Sequence, residues 1–151
     1  MVSNKNSNIL AYINTSLDFW QTPSHFEPIA SVILSTFQSL PSAVPLPSSA
    51  IVSTVTYLAA AANSPEHLKT INTALLKLFR HDEAVIRLAA VECQQSLTDK
   101  LGEDWLALLP EMLPFISELL EDDDEQVEYH VRKWIGRIET ILGEDVLGML
   151  Q

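Results

Sequence analysis

Hydrophobic residues recur at helical spacing along almost the whole chain, and the strict alternation of apolar and polar residues that marks β-strands is absent. The first apolar stripe predicts a helix at about residues 4–20. The later stripes predict three helix pairs at about 24–62, 64–101 and 105–142. The pattern therefore predicts seven helices and no strands, which is an all-α fold built as a single domain.

Start and stop signals divide these stripes. The segment 41–47 contains three prolines, which remove amide donors and restrict the residues before them, so we expect a linker there. Ser64 precedes Pro65 and is suited to cap a helix, and Asp82 and Asp124 are expected to cap the next two long helices. Between those two, Pro110 and Pro114 interrupt the stripe that starts at residue 105, so that helix should bend or begin late.

The chain repeats itself. Leu101-Gly-Glu-Asp104 recurs as Leu142-Gly-Glu-Asp145, an offset of 41 in the numbering. Apolar and acidic positions also align at an offset of 42: Ile71 with Leu113, Leu78 with Leu120, Asp82 with Asp124, Val85 with Val127, Ala89 with Val131 and Cys93 with Ile135. A period of about 40 to 47 residues with two helices per unit is typical of HEAT and armadillo repeats. The fold expected is a HEAT-like α-solenoid of about 3.5 helix pairs.

The run from Leu75 to Ala90 resembles the HEAT pattern, with leucines on the first helix, an aspartate in the turn, and valine, arginine and paired alanines on the second helix. The resemblance implies that Asp82 and Arg87 belong to a polar ladder between adjacent repeats. Tyr129 stands where the second copy would carry the arginine, so the ladder is expected to be broken there.

A narrower resemblance covers about residues 70–148. The segment 102–128, with its proline spacing and its Glu-Leu-Leu-Glu-Asp turn, and the closing Ile141-Leu-Gly-Glu144 resemble the extreme C-terminus of the U3 small nucleolar RNA-associated protein 10 family. These are large HEAT-repeat subunits of the small-subunit processome. The resemblance implies that the chain is a C-terminal fragment located in the nucleus, at the nucleolus. It also implies a scaffold that supports pre-rRNA transcription and 18S rRNA processing within a ribonucleoprotein complex.

The charge is uneven along the chain, which carries a net −11 in total. Residues 1–65 carry one basic and two acidic groups, whereas residues 66–151 carry eight basic and 18 acidic groups. Because nucleic-acid affinity comes from cationic side chains that neutralise phosphates, this half should repel RNA, and a basic protein segment is the better partner. Direct binding of pre-rRNA or small nucleolar RNA is the first alternative. A HEAT adaptor of the transport or phosphatase type is the second.

Two features are candidate partner-binding sites. The acidic turn holds more carboxylates than helix capping needs, so we expect it to bind a basic partner segment. Trp105 follows a glycine at a helix start, where an aromatic ring can lie half exposed and anchor a partner. The acidic candidates are Glu118, Glu121, Asp122, Asp123, Asp124 and Glu125.

The sequence shows no catalytic machinery, so the chain is not expected to be an enzyme, and no cofactor or metal is expected. The four histidines lie on different segments without a second ligand at metal-binding spacing, and no glycine-rich phosphate loop is present. Cys93 is the single cysteine and lies in a helical apolar pattern, which indicates a core residue in a reducing compartment. No apolar run is long enough to span a membrane, and the polar residues 1–8 do not resemble a signal peptide.

Overall fold

The computed structural model describes residues 26–28, 30–32, 35 and 48–150. The predicted helix at 4–20 and the predicted linker at 41–47 lie outside these residues. The all-α prediction is confirmed: the described residues form helices joined by turns, without a strand. Residues 26–28, 30–32 and 35 are helical. They are followed by α1 (Ser48–Ala61), α2 (Pro65–Leu78), α3 (Ala84–Leu101), α4 (Glu103–Leu106), α5 (Leu109–Leu119), α6 (Glu125–Leu142) and α7 (Val146–Met149).

Local chemistry fixes where the long helices start. Ser64 is the N-cap of α2, where its Oγ accepts a hydrogen bond from the His67 amide and Pro65 occupies the first helical turn. Asp124 caps α6, because one of its carboxylate oxygens accepts from the amides of Gln126 and Val127.

The cap expected at Asp82 is wrong. The N-cap of α3 is Glu83, which is extended and makes no side-chain cap hydrogen bond. Asp82 is exposed and contributes its backbone carbonyl, which accepts from Nη1 of Arg87 at 3.0 Å. The guanidinium therefore binds the carbonyl groups of this turn, including that of His81, while the carboxylate of Asp82 faces solvent.

The region with two prolines begins late, as its sequence suggested. Gly102 has φ +57° and ends α3, and the single turn α4 follows at once. The longer helix α5 begins only at Leu109, which places Pro110 in its first turn, where no amide donor is needed. Pro114 lies inside α5, so the hydrogen bond that its amide would have donated is missing from that helix.

Buried positions repeat at an offset of 41, so the alignment at 42 is wrong. In α2 and α5 the buried pairs are Leu68 with Leu109, Ile71 with Met112, Leu75 with Ile116 and Leu78 with Leu119. In α3 and α6 they are Ile86 with Val127, Ala90 with Val131, Cys93 with Trp134, Gln94 with Ile135 and Leu97 with Ile138. Val85, which the offset of 42 matched to buried Val127, is 49% exposed. The core residue of that turn is its neighbour Ile86, so the apolar pair Val-Ile had concealed the register.

Helix α3 lies at the centre of the molecule, and its most extensive contacts are with α1 on one side and α6 on the other. The shorter helices α2 and α5 pack against α3 and α6 respectively. One apolar cluster runs through all of these interfaces, from Ile51 of α1 to Val146 of α7. The helices that precede each turn and the helices that follow it therefore form two layers around a shared core.

Candidate functional site

Glu118, one of the six acidic candidates, is neutralised within the chain. Arg80 donates from Nε and Nη2 to its two carboxylate oxygens at 2.9 and 2.6 Å. The hydrogen bonds from Arg80, more than its charge, lower the pKa of Glu118. The Arg80 guanidinium also lies 4.4 Å from the centre of the Phe115 ring. A partner would have to displace Arg80 before it could use this carboxylate.

Asp122 is more deeply engaged than Glu118. Arg87 donates from Nε and Nη2 to the two Asp122 oxygens at 2.9 and 3.0 Å, and the two side chains are only 12% and 7% exposed. Burial by itself raises the pKa of Asp122, but hydrogen bonds from Arg87 and from the Asp124 amide outweigh it and bring the pKa below its ordinary value. Arg87 thus ties the start of α3 to the turn before α6, which is how adjacent units are held together here.

The rest of the acidic turn divides into capping and surface residues. Asp124 is half-buried and caps α6, so it too is occupied within the chain. Asp123 accepts a weaker contact from Arg87 at 3.2 Å, but its side chain is 95% exposed. Glu121 and Glu125 are exposed. Three of the six acidic candidates therefore serve the fold, and Glu121, Asp123 and Glu125 stay accessible to a partner.

The expectation that Trp105 is a half-exposed anchor is wrong, because its side chain is 0% exposed. Its Nε1 donates to Oε1 of Gln94 at 2.9 Å, and Nε2 of Gln94 donates to Oδ1 of Asn72 at 2.9 Å. A tryptophan at a helix start can lie half exposed only where nothing covers it. Here α4 lies against α3, and the indole is drawn inward by a buried acceptor.

A second indole is held in the same way. Nε1 of Trp134 donates to Oγ1 of Thr98 at 2.8 Å, and that hydroxyl donates to the carbonyl of Gln94 at 2.7 Å. Sequence reasoning missed this buried polar network, because Asn72, Gln94 and Thr98 lie among apolar residues and nothing in their spacing marks them. Nδ2 of Asn72 is a buried donor without a partner among the described residues.

A groove lies beside α4 on the surface. Its floor is formed by Pro65 and Leu68 of α2 and by Ala107 and Leu108, and its volume is about 570 Å³. Glu103 and Asp104 line it, and both are exposed. No ion pair to either carboxylate is found in the part of the chain that the structure describes.

The two layers of helices carry different charge. Helices α2, α4 and α5 contain five acidic and two basic residues, whereas α1, α3 and α6 contain five of each. In the second layer, Nζ of Lys100 lies 5.7 Å from the centre of the Tyr57 ring and Nζ of Lys133 lies 5.6 Å from that of Tyr129. Both rings are exposed. The acidic surface predicted for this half is thus concentrated in the first layer and in the turns.

The described residues contain no group of three or more histidine, cysteine or acidic side chains arranged to hold a metal ion. Cys93 is fully buried, and this burial, aided by nearby Glu92, raises the pKa of its thiol far above the ordinary value. No helix in the same part of the chain is long and apolar enough to cross a membrane.

Similar proteins are known from several organisms, although no protein-family model matches the chain. A protein of Neurospora crassa named U3 small nucleolar RNA-associated protein 10 is 51% identical over 133 residues, which is 88% of this chain and 7% of that protein. Proteins of the same name from Pyricularia oryzae and Coccidioides immitis are 49% and 46% identical over 134 and 143 residues, 88% of this chain and 8% of each relative. The chain thus spans less than a tenth of the length of these relatives.

The fold and the surface define an all-helical protein whose buried positions repeat at a constant offset of 41. The particular family follows from the comparisons: through the matched segment, the chain belongs to the U3 small nucleolar RNA-associated protein 10 family. The family resemblance is therefore confirmed, and it extends further than residues 70–148. A match to 88% of the chain is longer than that segment and must include residues before it. The association with a small nucleolar RNA in the relatives' name agrees with the predicted nuclear, nucleolar location.

Proposed function

We propose that this chain is a non-enzymatic scaffold segment of the nucleolar small-subunit processome, which supports pre-rRNA transcription and 18S rRNA processing through contacts with other proteins. The observation that carries the proposal is the identity of about 50% to proteins named for their association with U3 small nucleolar RNA. Identity at this level over 88% of the chain implies that the fold and most of the surface are shared. On this view the chain acts within a ribonucleoprotein complex.

The architecture that we infer is a HEAT-like solenoid. Helices α3 and α6 are both 18 residues long, and both their first residues and the glycines that end them, Gly102 and Gly143, are related by the same offset of 41. Side-chain hydrogen bonds connect the two helices along their length, from Gln95 to the His130 carbonyl and from Arg137 to Asp99. On the other side of α3, Ser96 is hydrogen-bonded to Thr56 of α1. Such side-by-side contacts between equivalent helices are what a stack of repeats requires.

The last unit has the polar surface of a terminal repeat, which supports a position at the end of the solenoid. Val91 and Thr98 of α3 are fully buried, whereas the equivalent residues of α6, Arg132 and Glu139, are exposed and half-buried. Glu139 also accepts a hydrogen bond from the amide of Val146 at 3.0 Å, which holds α7 against the end of α6. Solenoids need terminal repeats with a polar outer face. We infer that α6 and α7 close the stack.

The proposal is tested on the full-length protein that carries this segment. We expect the tagged protein to lie in the nucleolus and to co-purify with U3 small nucleolar RNA, and we expect its depletion to reduce mature 18S rRNA while the large-subunit rRNA is spared. Re-expression of the full-length protein should restore 18S rRNA. A tagged protein outside the nucleolus, together with normal 18S rRNA after depletion, would refute the proposal.

Direct RNA binding is a second candidate, and one observation favours it. Exposed Tyr57 and Tyr129 each lie beneath a lysine amine, and aromatic rings beside cations can stack bases and neutralise phosphates. The net charge of −11 opposes it. If the second layer binds RNA, retention on single-stranded RNA should weaken steeply with salt and should fall in K100A/K133A. Equal retention of the variant and the unchanged chain would reject this candidate.

A further inference from the structure

The chain offers two acidic surfaces, and they differ in what already neutralises them. In the turn before α6, Arg80 and Arg87 pair with Glu118 and Asp122, and Asp124 is occupied by helix capping. Beside α4, Glu103 and Asp104 have no cationic partner among the described residues. A carboxylate without a partner can be neutralised by a ligand without first losing an internal bond.

The surface beside α4 also has an apolar groove, which the acidic turn lacks. Leu68 is buried, Leu108 is half-buried, and Pro65 and Ala107 are exposed next to them. The groove volume of about 570 Å³ falls within the range of sites that bury apolar ligand groups. Its position is fixed from below, because the buried indole of Trp105 holds α4 to Gln94 of α3. The groove is therefore formed before any partner arrives.

From this juxtaposition we propose that the groove lined by Pro65, Leu68, Ala107 and Leu108 and flanked by Glu103 and Asp104 is a docking site for a protein segment that alternates basic and apolar side chains. The apolar side chains of the segment enter the groove, and its lysines or arginines meet the two carboxylates. RNA does not fit, because its phosphates would face two unneutralised negative charges. The inference rests on the proposed scaffold function and names the site and the chemistry of one partner.

The test uses the full-length protein isolated with its associated particle and a carbodiimide, which joins a carboxylate directly to a lysine amine. We expect Glu103 or Asp104 to crosslink to a lysine of another protein, within a segment that has apolar residues next to its basic ones. In E103K/D104K this partner should be recovered about tenfold less than in the unchanged protein, which corresponds to about 1.4 kcal/mol. In A107W, which fills the groove without changing charge, the loss should be similar.

The matched control is E121K/E125K, which makes the same change in net charge on the other acidic surface. It should keep the partner at the unchanged level, and thermal unfolding of all three variants should show that each is folded. Equal loss in the control and in E103K/D104K, or crosslinks confined to residues 121–125, would overturn the groove assignment. The proposed function fails separately: it falls if the unchanged protein does not co-purify with U3 RNA, whereas the groove assignment falls if E103K/D104K and A107W both keep every crosslinked partner.

Discussion

Helices α3 and α6 are equivalent by position but not by environment. Both have 18 residues and both end at a glycine with positive φ, yet α3 is covered by α1 and α6, whereas α6 is covered mainly by α3. Their shared buried positions lie at an offset of 41, and the residues that differ are those that only α3 buries, such as Val91 and Thr98. The number of neighbours a helix has therefore decides which of its positions tolerate charge.

The strongest test of this comparison exchanges one equivalent pair. Val91→Arg places an unpaired charge at a fully buried position, and we expect it to cost about 4 kcal/mol or more, enough to abolish cooperative unfolding. Arg132→Val removes an exposed side chain and its pair with Glu128, and it should change stability by less than about 0.5 kcal/mol. Urea unfolding followed by circular dichroism measures both. Equal losses in the two variants would mean that α3 and α6 are covered alike.

The next largest effect is expected at the link between the two units. Arg87→Ala leaves the buried carboxylate of Asp122 without its bidentate partner, and we expect a loss of about 3 kcal/mol in the free energy of unfolding. Arg80→Ala breaks a pair of similar geometry whose side chains are more than half exposed, so its effect should be clearly smaller. The ranking is checked by urea unfolding of the two variants, and a larger loss in Arg80→Ala would show that the link at Arg87 does not hold the units together.

The two indoles separate the layers on a finer scale. Trp105→Phe leaves Oε1 of Gln94 buried without a donor, which should cost about 1–3 kcal/mol. Trp134→Phe should cost less, about 1 kcal/mol, because the Thr98 hydroxyl keeps its own hydrogen bond to the Gln94 carbonyl. Thermal unfolding of both variants gives the order. A larger cost for Trp134→Phe would contradict the account of the network.

The smallest expected effect is the pH dependence of stability. Since the pKa of Asp122 is lower in the folded chain than its ordinary 3.8, its contribution to stability is fully present above that value and is lost as the pH falls through the folded pKa. Unfolding free energies measured between about pH 6 and pH 3 should therefore fall mainly below about pH 4. In Arg87→Ala this decline should be shallower, and an unchanged slope in that variant would show that another carboxylate is responsible.

The sequence was sufficient for the helices whose ends carry strong local signals. Ser64 before Pro65 marks α2, and the residues Asp124 and Gly143 enclose α6. It was insufficient for the register between the two units, because Val85 and Ile86 are both apolar and only packing decides which is buried. Asp82 looked like a cap because aspartate in a turn usually accepts amide hydrogen bonds, but the chain starts α3 one residue later.

The candidate site was predictable only in part. The excess of acid near residues 118–125 is visible in the sequence, but the arginines that neutralise Glu118 and Asp122 lie 38 and 35 positions away. The groove beside α4 combines residues from two helices and could not be read from either one. Trp105 was assigned to the surface because its buried partner Gln94 lies on another helix and carries no mark in the sequence.

Among the described residues, the hydrogen bonds between side chains join positions no more than 40 apart, the longest being that between Thr56 and Ser96. No such bond holds the start of the described chain to its end. A gene duplication that inserted one more unit of the same length would therefore leave each existing bond with its own partner, and the protein could grow in length without being redesigned. A compact fold whose first and last segments pair with each other could not lengthen in this way.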